Sequence, residues 1–412
     1  MTVELDKRLP VALGAVLLGA LVARECVWPL VADLRGEPAP LTILELTPED
    51  VHFASWRKQL EADYPPIPIR AFPDTTLQRE VLAEPILRKL YPQLSTPQMV
   101  WQAQVGFRRP ANMRQRVPWP EHPASEWWLN TNAASLRMDA ELPPTGPYFA
   151  LAGDSHLEGA CSNAESAAGL LRAALAKSAD KQPLEVVNLA CGGYSFHQYL
   201  GSLEQLEGDV PGQLVDLTKP SPVRVLAVVV YGGNDFAEVL KLAHYWSRTD
   251  RAPGWGLDNE RLAKWRATEL PTIGQGLGSV LMFRRAPSEA ELALQEALAV
   301  SEELQLHANR RGFRLVFVYL PCALESEPQL HTEHLEPILA DLAVTPEDLA
   351  QTFGLGDRYL AGLKALGCDV LDLRPALESG PQFFWSRDQH LNLEGQRLLA
   401  ERLLDWYRSP AH

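Results

Sequence analysis

The 412-residue sequence predicts an α/β chain folded as a three-layer α/β/α sandwich around a parallel sheet. Two observations predict it. Short apolar runs alternate with longer stretches of helical spacing, and alternation of that kind implies parallel strands covered on both faces. The runs also end in Gly-, Asn- and Asp-containing turns, where such a sheet places its functional edge.

Taken in order, the chain opens with Lys7-Arg8 ahead of fifteen apolar residues, 9–23, with Arg24 and Glu25 behind. The run is short for a span of about 20 residues and matches a signal-peptide core. Leu21 is larger than a cleavage site prefers, and Cys26 lacks the small residues before it that a lipoprotein signal needs. Residues 27–32 could lengthen the span. The expectation for 1–32 is an uncleaved signal anchor, a transmembrane segment, with a cleaved signal as the alternative. Lys7 and Arg8 inside would put the body outside the cytoplasm.

Residues 33–145 are dense in Pro and Trp, with short runs such as 41–46, and predict a small, β-rich accessory region. Residues 146–412 form the main domain. Strands are expected at 148–152, 185–189, 223–230, 314–320 and 370–373. Helices are expected at 165–177, 197–206, 288–310 and 396–407. Segments 236–287 and 321–368 exceed ordinary connections and predict helices that wall a cleft. Trp246, Trp255, Trp265 and Trp385 could line that cleft, with core packing the alternative.

Four blocks carry chemistry. Gly153-Asp154-Ser155-His156-Leu157-Glu158-Gly159 follows the first expected strand, so Ser155 stands on a strand-to-helix turn. Free N–H groups and a helix N-terminus there favour developing negative charge. Cys191-Gly192-Gly193 follows the second strand, Gly232-Gly233-Asn234-Asp235 follows the third, and Asp388-Gln389-His390 precedes the last helix. Acyl transfer needs a nucleophile, a base, a group orienting the base, and donors for the oxyanion. Ser155, His390 and Asp388 fill the first three roles. The N–H groups of Ser155 and Gly193 and the side-chain amide of Asn234 fill the last, Gly193 letting its backbone approach closely. The two Gly pairs also read as ordinary strand-end turns, and Asn392 as an N-cap. His156 and His197 are expected as solvated or rim histidines.

The order Ser, Gly, Asn, then Asp/His resembles the SGNH, or GDSL-type, hydrolase superfamily over about residues 146–410. The resemblance implies a flavodoxin-like sheet and a serine-dependent acyl-ester hydrolase. Many members carry Asp three residues before His. Here Arg387 holds that position and Asp388 stands two before, a D-x-H spacing similar to the membrane-linked polysaccharide O-acetyltransferase branch. Asn132-Ala133-Ala134-Ser135-Leu136-Arg137 is similar to that branch's N-x-x-G-x-R lead-in, with Ser135 in place of Gly. The implied alternatives are transfer of the acyl group to a glycan, or an idle scaffold or glycan-binding module.

Composition bounds the partners. A net charge of −14 without a basic patch argues against nucleic acid. A 46% hydrophobic fraction with 11 Trp describes a globular chain. The five Cys show no metal-ligand spacing. No cofactor or metal is expected. A disulfide between Cys161 and Cys191, or between Cys322 and Cys368, is open outside the cytoplasm. The expected partners are an acylated small molecule or glycan, and the membrane through the N-terminal segment.

Overall fold

The computed structural model describes residues 54–409, apart from several short stretches and the segment 251–274, of which Trp265 alone is described. The anchor expected over 1–32, the strand expected at 41–46 and Trp255 lie outside the described residues. Among the described residues, no helix is long and apolar enough to cross a membrane.

Five strands make the central sheet: β1 (Tyr148–Ala152), β2 (Glu185–Asn188), β3 (Val223–Tyr231), β4 (Arg314–Leu320) and β5 (Asp369–Asp372). Their order is β5-β4-β3-β1-β2, and every pair is parallel. This is the expected flavodoxin-like order. β3 is rich in β-branched residues that fit a pleated surface buried on both sides, and β1 and β4 pair along its two edges.

The strand period of two sends alternate side chains to opposite faces. Ala150, Leu226, Val228, Phe317 and Tyr319 join one apolar cluster, while Leu151, Val225, Ala227, Val316 and Val318 join a second. The first face is covered by α3 (Phe196–Glu207), α4 (Asp235–Ser247), α6 (Pro287–Arg311) and α7 (Pro346–Ala365). The second is covered by α2 (Ala167–Ala176), α5 (Gln275–Arg285) and α8 (Leu393–Arg408). A single helical turn, α1 (Ser155–Glu158), precedes α2. Local caps match the helix starts: the Ser166 side chain accepts from Gly169 N–H, and Asn392 accepts from Glu394 and Gly395 N–H.

The long segments resolve as expected into helices. α4 and α5 fall in the first, and Ala323–Ser326, Pro328–Asp341 and α7 in the second. Trp385 is buried, and Trp246 and Trp265 are half-buried against the two clusters, so these three rings pack into the core.

Upstream of the sheet, Ile67–Ile69 pairs with Arg79–Val81 and Val100–Gln102 with Gly106–Arg108, both antiparallel. Ile86, Leu87, Tyr91, Phe107 and Met138 enter the same apolar cluster as β1 and β3. This region therefore shares a core with the sheet. Residues 116–127 belong to a second compact unit, in which the Trp119 and Trp127 rings meet edge to face.

The proposed cysteine pairings are not found. Cys161, Cys191, Cys322 and Cys368 are all buried free thiols. Burial pushes Cys161 and Cys191 up to about 12, which leaves them inert packing groups.

Leu226 is fully buried on β3, the strand with a neighbour along each edge. Leu226→Ala is expected to cost about 3 kcal/mol of stability, measured by denaturant unfolding, because close neighbours on both sides hinder collapse into the cavity.

Candidate active site

β1 ends at Ala152, and the chain turns through Gly153 into α1, with Asp154 as its N-cap. The Asp154 carboxylate accepts from His156 N–H at 2.9 Å, which leaves Ser155 on the first helical position. The sequence places Ser155 on a turn into a long helix. The structure gives it one turn only, so the donors there are individual N–H groups and the helix dipole is small.

The second part of the site comes from the chain before α8. Gln389 takes a left-handed conformation, φ +64°, between Asp388 and His390. That bend turns both flanking side chains to one side, and a D-x-H spacing then suffices. The loop is closed by Trp385 N–H to His390 O (2.8 Å), Gln389 N–H to Trp385 O (2.9 Å) and a bridge between Phe384 and Leu391. Asp388 Oδ1 accepts from His390 N–H at 3.2 Å and pairs with His390 Nδ1. His390 Nε2 lies 2.7 Å from Ser155 Oγ. The three residues expected to act together are thus joined in one hydrogen-bonded chain across 235 positions of sequence.

His390 keeps 18% of its side chain exposed, so a reactant can reach it. Burial alone would lower its pKa. The Asp388 charge and hydrogen bond, with Asp154 and Glu158 beyond, outweigh burial and raise it above the ordinary imidazole value. Asp154 is fully buried, and desolvation pushes it up to about 6.

β1 lies between β2 and β3, so the Ser155 turn sits between the loops that carry Gly193 and Asn234. A Cβ placed on Gly192 would stand 3.5 Å from the Ser155 Cβ. Gly193 has φ +84°, a conformation that favours glycine. Among the described residues, the N–H groups of Ser155 and Gly193 and the Asn234 side-chain amide donate to no internal acceptor. Three unengaged donors therefore belong to the three turns at this edge.

The two other motif histidines, expected as solvated or pocket-rim residues, are instead buried. His156 stacks on Tyr231 with ring centroids 3.6 Å apart. His197 lies in α3 against Trp246 and pairs with Glu296 at 3.0 Å; burial lowers its pKa.

Three residues enter the site that the motifs alone did not single out for chemistry. Arg137 is buried and donates from Nε to Glu158 O (3.1 Å), from Nη2 to Gly159 O (3.3 Å), and to Cys161 O. It thereby satisfies carbonyls at the C-terminal end of α1 and just beyond it. The lead-in motif that contains it folds accordingly. Asn132 Oδ1 accepts from Ala134 and Leu136 N–H, and Ser135 adopts φ +61° where the motif carries Gly. Glu158 is held by Arg109 through two bonds, Nε to Oε1 at 2.7 Å and Nη2 to Oε2 at 2.8 Å. Its Oε2 also accepts from Gly192 N–H at 3.0 Å. No local pattern pointed to this pair, because its members lie 49 positions apart.

Among the described residues, one group could gather round a cation: Glu207, Asp209 and His307. The Arg311 guanidinium already lies 3.6 Å from Glu207 and is hydrogen-bonded to Asp209, so a resident positive charge holds that place.

No family model and no curated protein matches the chain. Solved structures similar to it include an acetyl xylan esterase, AlAXEase, at 12% identity and TM-score 0.36, covering 62% of this chain and 98% of that one. An acetylxylan esterase from Geobacillus stearothermophilus has 13% identity and TM-score 0.37, covering 64% and 95%. TesA has 12% identity and TM-score 0.34, covering 63% and 98%. The strand order, with the Ser155, Gly193, Asn234 and His390 blocks gathered at one edge of the sheet, resembles the SGNH/GDSL type of fold.

Replacing Arg137 strands three carbonyls in a buried setting. Arg137→Leu is expected to lose about 3 kcal/mol in urea unfolding. Arg137→Lys is expected to recover only part, since a single ammonium cannot reproduce the guanidinium fork.

Proposed function

We propose that the protein is a serine-dependent acyl-ester hydrolase. The observation that carries this reading is the contact of His390 Nε2 with Ser155 Oγ, with Asp388 on the opposite ring nitrogen. His390 takes the Ser155 proton as Oγ attacks the ester carbonyl. The N–H groups of Ser155 and Gly193 and the Asn234 amide receive the oxyanion, each such donor being worth about 3–4 kcal/mol of barrier. The tetrahedral intermediate collapses as His390 passes the proton to the leaving alcohol. Water, deprotonated by the same imidazole, then releases the acid from the acyl-enzyme. Asp388 fixes the ring tautomer and balances the imidazolium.

A second outcome shares every step up to the acyl-enzyme. A glycan hydroxyl in place of water would make the protein an O-acyltransferase. The Asp388-Gln389-His390 spacing, which resembles the transferase branch, supports this second outcome, and formation of an acylated sugar when acceptors are supplied to the acylated enzyme separates it from hydrolysis.

The test is the pH dependence of kcat/KM on short p-nitrophenyl esters. His390 must be neutral to act as base, so the acidic limb should have its midpoint above the ordinary 6.5 of imidazole. Asp388→Asn should move that limb down and lower kcat, and Ser155→Ala should reduce kcat at least about 10³-fold. Stability should run the opposite way. The raised His390 pKa favours the folded state below the unfolded imidazole value, and this contribution is lost as pH rises through the folded value. Asp154, raised to about 6, has the same sign. Full turnover in Ser155→Ala would overturn the assignment.

We also propose that this chemistry takes place outside the cytoplasm. Lys7-Arg8 ahead of the apolar residues 9–23 supports that placement. A C-terminal reporter active only after export, on a product retaining its N-terminus, is the expected result; a trimmed product would indicate a cleaved signal, and an inactive reporter a cytoplasmic protein.

A further inference from the structure

The oxyanion loop is held at both ends by unusual partners. Upstream, Gly192 N–H donates to the buried Glu158 carboxylate at 3.0 Å. Downstream, Tyr194 N–H returns to Cys191 O at 3.1 Å, and Tyr194 Oη donates to Phe107 O at 2.6 Å. Gly193, between them, keeps φ +84° and an unengaged N–H. The loop has two glycines in succession, so the peptide carrying that N–H would rotate freely without an anchor. Glu158 is the last residue of α1, three positions after Ser155. It therefore couples the loop to the serine turn.

The charge of Glu158 is managed from outside the sheet. Burial by itself would push the carboxyl up. Arg109, through its charge and two hydrogen bonds, then Arg137 and the Gly192 N–H, outweigh burial and hold it below the usual carboxylate range. An ionised acceptor binds the Gly192 N–H more strongly than a neutral one. Its pairing with Arg109 offsets the negative charge, which would otherwise oppose an oxyanion forming at the neighbouring turn.

We propose that Glu158, charge-balanced by Arg109, is a positioning residue that aims the Gly193 N–H at the oxyanion. This rests on Ser155 acting as the nucleophile. Glu158 itself touches no reacting atom; it acts through the Gly192-Gly193 peptide. Arg109 belongs to the region upstream of the sheet, which thereby takes part in the chemistry beyond its packing role.

The experiment compares Glu158→Gln with Glu158→Leu in the full chain. Both remove the charge facing Arg109, so a merely structural role lowers melting temperature and activity alike in both. Only the amide keeps an acceptor for Gly192 N–H. Glu158→Gln is expected within about fivefold of the parent kcat. Glu158→Leu is expected about a hundredfold below it, the scale of a lost oxyanion donor, with KM within about threefold. The rate of Ser155 labelling by a fluorophosphonate, which forms a tetrahedral adduct, should fall in parallel with kcat. Equal kcat and labelling in the two variants, with an active parent, would overturn the inference alone. A parent that neither turns over esters nor labels at Ser155 would overturn the serine reading and the inference together.

Discussion

Parallel pairing is the constraint on which the rest depends. Because β1, β2 and β3 run in the same direction, their carboxyl ends must emerge at one edge, whatever the intervening helices do. The order β2-β1-β3 then places the Ser155 turn between the turns holding Gly193 and Asn234. β1 connects toward one side of the sheet and β3 toward the other, and the crevice at that reversal is where α/β sheets bind ligands. The site is a consequence of topology before it is a consequence of any side chain.

Burial of charge is the second theme. Ionised groups in an apolar setting persist only when paired and hydrogen-bonded. Around this site the protein meets that demand in different ways. Glu158 is ionised and shared between Arg109 and the Gly192 N–H. Asp235 begins α4, directly after Asn234. Burial, with Asp154 nearby, pushes it well above the carboxylate range, while Tyr199 Oη and Tyr231 N–H donate to its Oδ2 at 2.6 and 2.8 Å. Asp388 instead keeps 17% of its side chain exposed and spends its charge on His390. Buried carboxyl groups thus hold the backbone turns, and the partly exposed carboxylate pairs with the His390 imidazole.

Much of this was legible in the chain. The apolar runs at 148–152 and 314–320 match β1 and β4 in both boundaries, because buried parallel strands are continuous apolar stretches bounded by turn residues. Ser155, Asp388 and His390 were recognisable because each stands within a short motif. Three matters were not legible. The cysteines read as candidates for pairing, yet each is buried singly, and spacing along a chain says nothing about approach in space. His156 and His197 read as rim residues, since nothing local showed Tyr231 or Trp246 waiting to receive them. Arg109 carries no motif at all, and its partner lies on another element.

The sequence by itself determined the layered α/β architecture, the strand positions and the residue types suited to acyl transfer, because period, turn chemistry and motif spacing are local properties. Tertiary structure alone decided what those residues touch. It carried His390 across 235 positions to Ser155 and bent Gln389 so that a two-residue spacing serves. It also brought Arg109 to Glu158 and Glu158 to the Gly192-Gly193 turn. Such contacts join separate elements, and their geometry comes from sheet order and core packing, which no single stretch of chain encodes.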